Sequence, residues 1–539
     1  MQTVRSRTPA VCIALFAFGA AALAQPPLPH LERRGAVTQL IVDGKPWLCL
    51  GGELLNNAAS TAESARPVWP LLAKMHLNTV LVGVGWGWIE PEPGRYDFSA
   101  LDGVLHDARS NHMRVVLLWF GSWKNGTSSY PPAWVKRNWQ KYPIARDAEG
   151  KGREILSALS DVNRDADAQA YVALMRHVRD VDSATRTVLM IQLENEAGLL
   201  GDSRDRSKEA NEAFSGQAPK ELMEYLQKNR STLLPETRKL WQAAGGRTAG
   251  TWEEVFGKGT GADEAFMAWH YARYMNRIAE LGKKEYPLPV YVNAWIVQPQ
   301  DKNPGDYPSG GPQAHNHDFW RAGAPQIDVL APDIYLPNFA EIATMYSRSG
   351  NPLFIPETRA DAANAFYAVG ALNAQMFSPF GIERQAANDS PLSKAYDVLS
   401  QLAPMILDHQ GKGTMKAVAV QSGAAPEKVQ LGNYMFDLAT GRGWRAPPAS
   451  GRGYAILLQA GPDEFWVAGA DLNIRFASTA PETPLASLAA VEEGRFEGDA
   501  WIVRRHLAGD DTGMGGEDRA SLRLPADPGV LHIRLYSYR

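Results

Sequence analysis

The sequence predicts a (β/α)8 TIM barrel followed by an antiparallel β-sandwich. Three observations carry that expectation. Short apolar runs alternate with amphipathic helical stretches through most of the chain, the pattern of a parallel sheet with helical crossovers. Several of those runs stop abruptly at Gly, Trp, Glu or Asn, as strands do where a barrel carries its working groups on their carboxyl ends. After Gln410 the rhythm becomes short runs broken by Gly, Pro and Asp, which is the spacing of a sandwich.

Leu40, Ile41 and Val42 precede an Asp43-Gly44 turn signal. The first barrel strand then resumes over 46–50 and runs into Gly51, Gly52 and Glu53. A helix over 67–76 opens at Pro67. The second strand, 78–84, stops at Gly85, Trp86, Gly87 and Trp88. Helix 101–112 leads into the third strand, 113–119, which ends in Phe120, Gly121, Ser122, Trp123, Lys124, Asn125 and Gly126. An amphipathic helix over 165–181 precedes the fourth strand, whose apolar start, Val188 to Ile191, gives way to Gln192, Leu193, Glu194, Asn195, Glu196, Ala197 and Gly198. A charged, mostly helical segment near 203–285 interrupts the alternation, with its clearest helix over 262–284. Strands return at 289–293, 327–335 and 352–357, and the eighth is expected at 365–369, followed by the run 377–381.

The domain organisation is thus a signal segment over 1–24, a barrel over 25–410 with an insertion near 203–285, and a sandwich over 411–539. The leader is read from Arg5 and Arg7, an apolar run over 11–23, and the small-x-small site Ala22-Leu23-Ala24, with cleavage after Ala24. It predicts an exported protein, periplasmic or secreted, with no membrane span in the mature chain. Of the two cysteines, Cys12 leaves with the leader and Cys49 sits alone in an apolar strand. That fits a large exported bacterial enzyme rather than a small disulfide scaffold.

Composition excludes some partners. The 539 residues are 45% hydrophobic and 21% charged, with net charge −4 and a pI of about 6.3. No basic stripe is present, so nucleic acid is not an expected partner. Sixteen tryptophans suit either core packing or stacking on the C–H face of a sugar. No Gly-rich phosphate loop and no His/Cys cluster occurs, so neither cofactor nor metal is expected. His270 and Tyr274 share a helix face, but Tyr is a poor metal partner and the pair reads as structural. The acidic turn over 510–517 lacks the alternating ligand spacing of a calcium loop and reads as a surface turn.

Glu196 closes the fourth strand, and Glu357 closes a similar apolar strand, Leu353 to Pro356. Strands four and seven face each other across a barrel mouth. Two carboxyl groups facing a cleft are the working pair of a glycosidase, one attacking the anomeric carbon while the other protonates the leaving oxygen. Their environments must hold one ionised and the other protonated. Arg359 is placed by sequence to keep Glu357 ionised, and Trp-rich walls with the Glu357 charge to raise Glu196. A continuing strand would aim Glu194 and Glu196 to one side; Glu194 is expected to orient its neighbours. Glu53 binds a sugar hydroxyl or braces the barrel. Trp119 and Trp123, with Trp86 and Trp88, follow strand ends and are divided between lining the site and packing beneath it. Asn125 is a sugar ligand or a turn residue. Glu90 and Glu92 flank a Pro turn and read as structural.

Over roughly residues 35–400 the chain resembles glycoside hydrolase family 35, the β-galactosidases. The resemblance rests on Gln192 to Gly198, on Asn78-Thr79-Val80 with the run Trp88 to Phe98, and on Gly51-Gly52-Glu53. It implies that Glu196 is acid/base and Glu357 the nucleophile, that Asn195 binds the hydroxyl beside the anomeric carbon, and that Tyr335 sits by the nucleophile. Many members carry an Ala-Glu-Trp run after the third strand; here Trp119 to Asn125 stands in its place, and the attacking Glu is set in Ile355-Pro356-Glu357-Thr358-Arg359. Both features resemble a bacterial subgroup with a β-rich C-terminal domain, some of whose members trim galactose from xyloglucan. The expected function is a retaining exo-β-galactosidase acting on plant-type oligosaccharides. The competing expectations are the same mechanism on a β-glucoside, β-mannoside or α-arabinoside, and a catalytically silent carbohydrate binder. The sandwich is open to three roles: binding module, lid or homodimer contact.

Overall fold

The computed structural model describes residues 27–385, 389–440, 451–512 and 521–539. The expected leader over 1–24 and most of the acidic turn, residues 513–517, lie outside them. Eight parallel strands close into a barrel: β1 (Cys49–Glu53), β2 (Thr79–Gly85), β3 (Arg114–Lys124), β4 (Val188–Asn195), β5 (Val290–Trp295), β6 (Val329–Ile334), β7 (Phe354–Thr358) and β8 (Met376–Pro379). Each strand pairs with its sequence neighbour, and β8 pairs with β1. Alternation sorts the side chains into two layers. Cys49, Leu81, Val116, Leu118, Phe120, Met190, Tyr291, Val329, Phe354 and Met376 fill the interior. Val80, Val82, Val115, Leu117, Val188, Val292 and Ile355 face the surrounding helices. Leu40 and Val42, from the antiparallel hairpin ahead of β1, join the interior cluster. Burial pushes the Cys49 thiol up to about 12, so it is an inert packing group.

The eighth strand is not where the sequence places it. The run 365–369 lies in a helix, Ala362–Ala371, capped by Asp361, whose side chain accepts from the Asn364 N–H. The strand is the later segment Met376–Pro379. A short apolar run buried on all sides carries no period to separate helix from strand; the Ala-rich composition and the Asp cap decide for helix. The segment 203–285 also divides. Four short helices, Lys208–Ser215, Lys220–Lys228, Pro235–Ala243 and Trp252–Phe256, form the insertion proper. The long helix Thr260–Glu285 is an ordinary barrel crossover, packed against helix Asp161–Asp182. At their contact a Cβ on Gly282 would come within 2.2 Å of Tyr171.

The C-terminal region is two antiparallel sheets, of six and four strands. Phe436, Leu457, Phe465, Val467, Ile474, Leu522 and Ile533 form the core between them. The six-stranded sheet is covered on its other face too: Tyr454, Ile456, Leu458 and Ala468 join the cluster of the barrel's helices. Helix Ala362–Ala371 makes much of that contact, with Phe366 and Tyr454 rings 4.7 Å apart. Burial on two faces explains the unbroken apolar run from Tyr454 to Leu458. Among the described residues no helix is long and apolar enough to cross a membrane.

Candidate active site

The carboxyl end of β4 is built against ordinary backbone preference. Glu194 and Glu196 adopt φ of 60° and 46°, a left-handed conformation uncommon outside glycine and worth about 1–3 kcal/mol of strain each. Five hydrogen bonds hold them there. Gln192 Nε2 donates to the Glu194 carbonyl at 3.1 Å. The Glu196 N–H donates to Asn293 Oδ1 at 3.0 Å. The backbone N–H groups of Asn125 and Gly126 donate to the Asn195 and Glu196 carbonyls, both at 3.1 Å. Lys124 Nζ donates to Asn195 Oδ1 at 2.8 Å.

This twist sends the two glutamates to opposite sides of the strand, where simple alternation would aim them together. Glu194 faces outward and accepts from the N–H groups of Ser122 and Trp123 at 3.0 and 2.6 Å. Its carboxyl also hydrogen-bonds Asp167, which accepts from Ser122 Oγ at 2.6 Å and Trp119 Nε1 at 2.9 Å. Burial, then the Asp167 charge, holds the Glu194 carboxyl well above the usual range. Gly121 is required beside this pair, since a Cβ there would sit 2.6 Å from Glu194 Oε1 and 2.8 Å from Asp167 Oδ1.

Glu196 turns to the mouth, where Glu53, Asp333 and Glu357 also gather; the Lys124 charge bears on Glu196 and Glu53, and Glu383 on Glu53. So many carboxyls around so little positive charge cannot all ionise. Burial, and after it the Glu357 charge, pushes Glu196 up to about 7, with Lys124 acting in the opposite sense. Glu53 and Asp333 are held well above the carboxylate range, in each case by burial first and the Glu357 charge next. Asp333 accepts from Asn293 Nδ2 at 2.7 Å and hydrogen-bonds Glu196, and its strand position pairs with Glu357. Tyr335 Oη donates to Glu357 Oε1 at 2.5 Å. Glu357 Oε2, both oxygens of Glu53, Asn195 Nδ2, Tyr291 Oη and Asp333 Oδ1 are buried without a hydrogen-bond partner. Buried polar atoms are seldom left so, and a cluster of them at a barrel mouth fits the hydroxyls of a sugar.

Several expectations need correction. Trp119 and Trp123 do not line this site. Both are wholly buried in the layer between barrel and helices. Trp119 Nε1 bonds Asp167, and Trp123 Nε1 bonds the Leu156 carbonyl while its ring packs on Tyr271 and Tyr274. A register shift between Trp119 and Lys124 places Lys124, not a tryptophan, on the inner side. Asn125 takes the turn role, at φ 52° with an exposed side chain. Arg359 does not reach Glu357: its Nε donates to the Tyr335 carbonyl at 3.1 Å and its side chain is exposed. Glu53, Asn195, Glu196, Tyr335 and Glu357 do come together.

Lys124, Asn293 and Glu383 enter without having been singled out. Only Asn293 had a legible signal, its place at the end of an apolar strand. Glu90 is a turn brace, accepting from Trp86 Nε1 and the Gly94 N–H, both at 2.7 Å. His270 is packed against Trp252 and Phe266, and burial pulls its ring down to about 4. Among the described residues no group of three or more His, Cys, Asp or Glu side chains could hold a metal.

Residues 60–284 match the family model of glycoside hydrolase family 42, described as beta-galactosidase. It is this model, not one of family 35, that fits. The match contains Glu196 and ends before Glu357. Residues 392–517 match a domain of unknown function, DUF5597. No curated protein matches. Solved structures similar to the chain include the beta-galactosidase from Bacillus circulans sp. alkalophilus, at 16% identity over 67% of this chain and 57% of that one, with a TM-score of 0.46. The beta-galactosidase from the psychrophilic Marinomonas ef1 gives 14% identity, 67% and 60% coverage and a TM-score of 0.44. The catalytic domain of beta-amylase from Paenibacillus polymyxa gives 12%, 64% and 98% coverage, and 0.43. The chain thus spans less than two thirds of the length of those two beta-galactosidases. Over residues 60–284 the eight-stranded barrel is thus similar to the family 42 model.

Proposed function

We propose that the protein is an exported, retaining exo-β-galactosidase that removes terminal β-D-galactosyl residues from plant-type oligosaccharides, xyloglucan side chains among them. One observation carries the reading: Glu357 has one oxygen held by Tyr335 and the other buried and unpartnered, and its charge bears on a Glu196 raised to about 7. That is the division of labour double displacement requires. Glu357 Oε2 attacks the anomeric carbon as the bond to the leaving oxygen breaks, and Glu196 gives that oxygen its proton. The product is a galactosyl ester on Glu357. Water then attacks the same carbon, Glu196 takes a proton from it, and Glu357 departs as carboxylate.

Glu53 and Asp333, both held well above the usual carboxylate range by burial and the Glu357 charge, supply polar partners for the ring hydroxyls together with Asn195 Nδ2 and Tyr291 Oη. Lys124 orients Asn195. The galactose assignment is supported by the family 42 match and by the second- and fourth-strand motifs, which favour kinship with family 35 as well. Export is supported by the leader-like start of the sequence.

The test is a panel of nitrophenyl glycosides with galactosylated xyloglucan oligosaccharides beside them, and proton NMR of the first-formed sugar. Preference for the β-galactoside, β-galactose as first product, and galactose release from xyloglucan are expected. Preference for another glycoside overturns the sugar assignment, and α-galactose overturns retention.

A further inference from the structure

The tryptophan best placed to meet a substrate is one that neither composition nor motif singled out. Along β5, Val290, Val292 and Ala294 face the helices, whereas Tyr291 joins the barrel interior and Asn293 bonds Glu196 and Asp333. Alternation makes Trp295 the next inward position, one step nearer the mouth than Asn293, level with Asp333 on β6. Its mount is firm: the Trp295 carbonyl accepts from the buried Gln313 side chain. Among the described tryptophans, only Trp295 and Trp139 belong to no apolar cluster and no ring pair. The Trp295 indole N–H has no hydrogen-bond partner among the described residues, and the residue is half-buried.

We propose that Trp295 is the platform on which the sugar ring of the leaving group stacks, which makes the preferred substrate a di- or oligosaccharide whose leaving residue is a pyranose with an apolar C–H face. This rests on the reading of Glu196 as the acid. The unpartnered polar groups lie in the floor of the site, at Glu53, Asn195, Tyr291 and Glu357, and fit the hydroxyls of the sugar being cleaved. Trp295 stands above that floor, on the strand next to Glu196, and its Asn293 neighbour fixes the Glu196 backbone. A large apolar face with a free N–H, set beside the group that protonates the leaving oxygen, suits a ring with one apolar face and a hydroxylated rim.

The test compares wild type, Trp295→Ala and Trp295→Phe on β-galactosyl fluoride, whose leaving group has no ring, and on a β-galactosyl disaccharide. Trp295→Ala should lose about tenfold or more in kcat/KM on the disaccharide, mostly through KM. It should change less than about twofold on the fluoride, and Trp295→Phe should recover most of the loss. Equal losses on both substrates, or none on either, overturn the assignment. If wild type turns over a different glycosyl fluoride, the galactose reading falls and the same comparison with that sugar's disaccharide decides Trp295. If it turns over no glycosyl fluoride, the two-carboxylate glycosidase reading falls and the stacking role falls with it.

Discussion

Glu194 and Glu196 stand two residues apart on one strand, and the two sides of that strand use buried acid in opposite ways. Behind it, Glu194 and Asp167 are surrounded by donors: two backbone N–H groups, the Ser122 hydroxyl and the Trp119 indole. Even the Ser122 hydroxyl is shared with Tyr274 Oη, at 2.7 Å. In front of it, Glu53, Asp333 and Glu357 each keep at least one buried oxygen unpartnered. A satisfied acid pair is a brace; a cluster with orphaned atoms is built for something outside the chain. Burial and raised pKa mark both clusters, so neither property alone identifies the site. Hydrogen-bond satisfaction separates them.

The sharpest way to break the comparison is to remove each glutamate in turn. Glu196→Ala should cost about 10³-fold in kcat/KM on natural galactosides and far less on activated aryl ones, whose leaving groups need little protonation. It should leave thermal stability within about 0.5 kcal/mol of wild type or raise it, as removal of a strained functional acid often does. Glu194→Ala should do the reverse, lowering stability by about 2–5 kcal/mol because the buried Trp123 N–H loses its acceptor, the Ser122 N–H keeps only Asp167, and Asp167 loses its carboxyl partner. Equal stability losses from the two variants would erase the distinction.

Lys124→Gln removes the charge that opposes the rise of Glu196 and weakens the hold on Asn195. Activity should fall about 10- to 100-fold. The alkaline limb of the pH–rate profile, expected near the Glu196 value of about 7, should move to higher pH. A limb that stays in place would detach Lys124 from Glu196.

A smaller effect concerns stability against pH. Glu194 is raised in the folded state above its ordinary value of 4.5. Its contribution is therefore full below that value and is lost as pH rises toward the folded one. Asp167→Asn deletes the neighbouring charge, so the drop in Tm as pH rises above 4.5 should shrink. An unchanged drop would assign the pH dependence elsewhere. Arg359→Ala should be nearly silent, within about 0.5 kcal/mol in stability and about twofold in rate, because its side chain is exposed on the Tyr335 carbonyl.

The barrel was legible because seven strands carry unbroken apolar runs with helices between them. The eighth was misplaced where a helix buried on two sides shows no period. In the site, the carboxylates were legible because acids at the ends of apolar strands are costly without a role. Trp119, Trp123 and Lys124 were not, since the shift in register near the end of β3 reverses which side chains face inward. Asn293 was marked by its place at the end of an apolar strand, whereas Trp295 depends on a pairing that forms only once the barrel closes.

In the proposed mechanism Glu357 forms the bond to the sugar. The most direct measurement is azide rescue of Glu357→Gly with an activated β-galactoside. Loss of hydrolysis, recovery of turnover with azide, and α-galactosyl azide as product are predicted. Absence of rescue, or rescue with the β-azide, would contradict the assignment and place the nucleophile at another residue of the site.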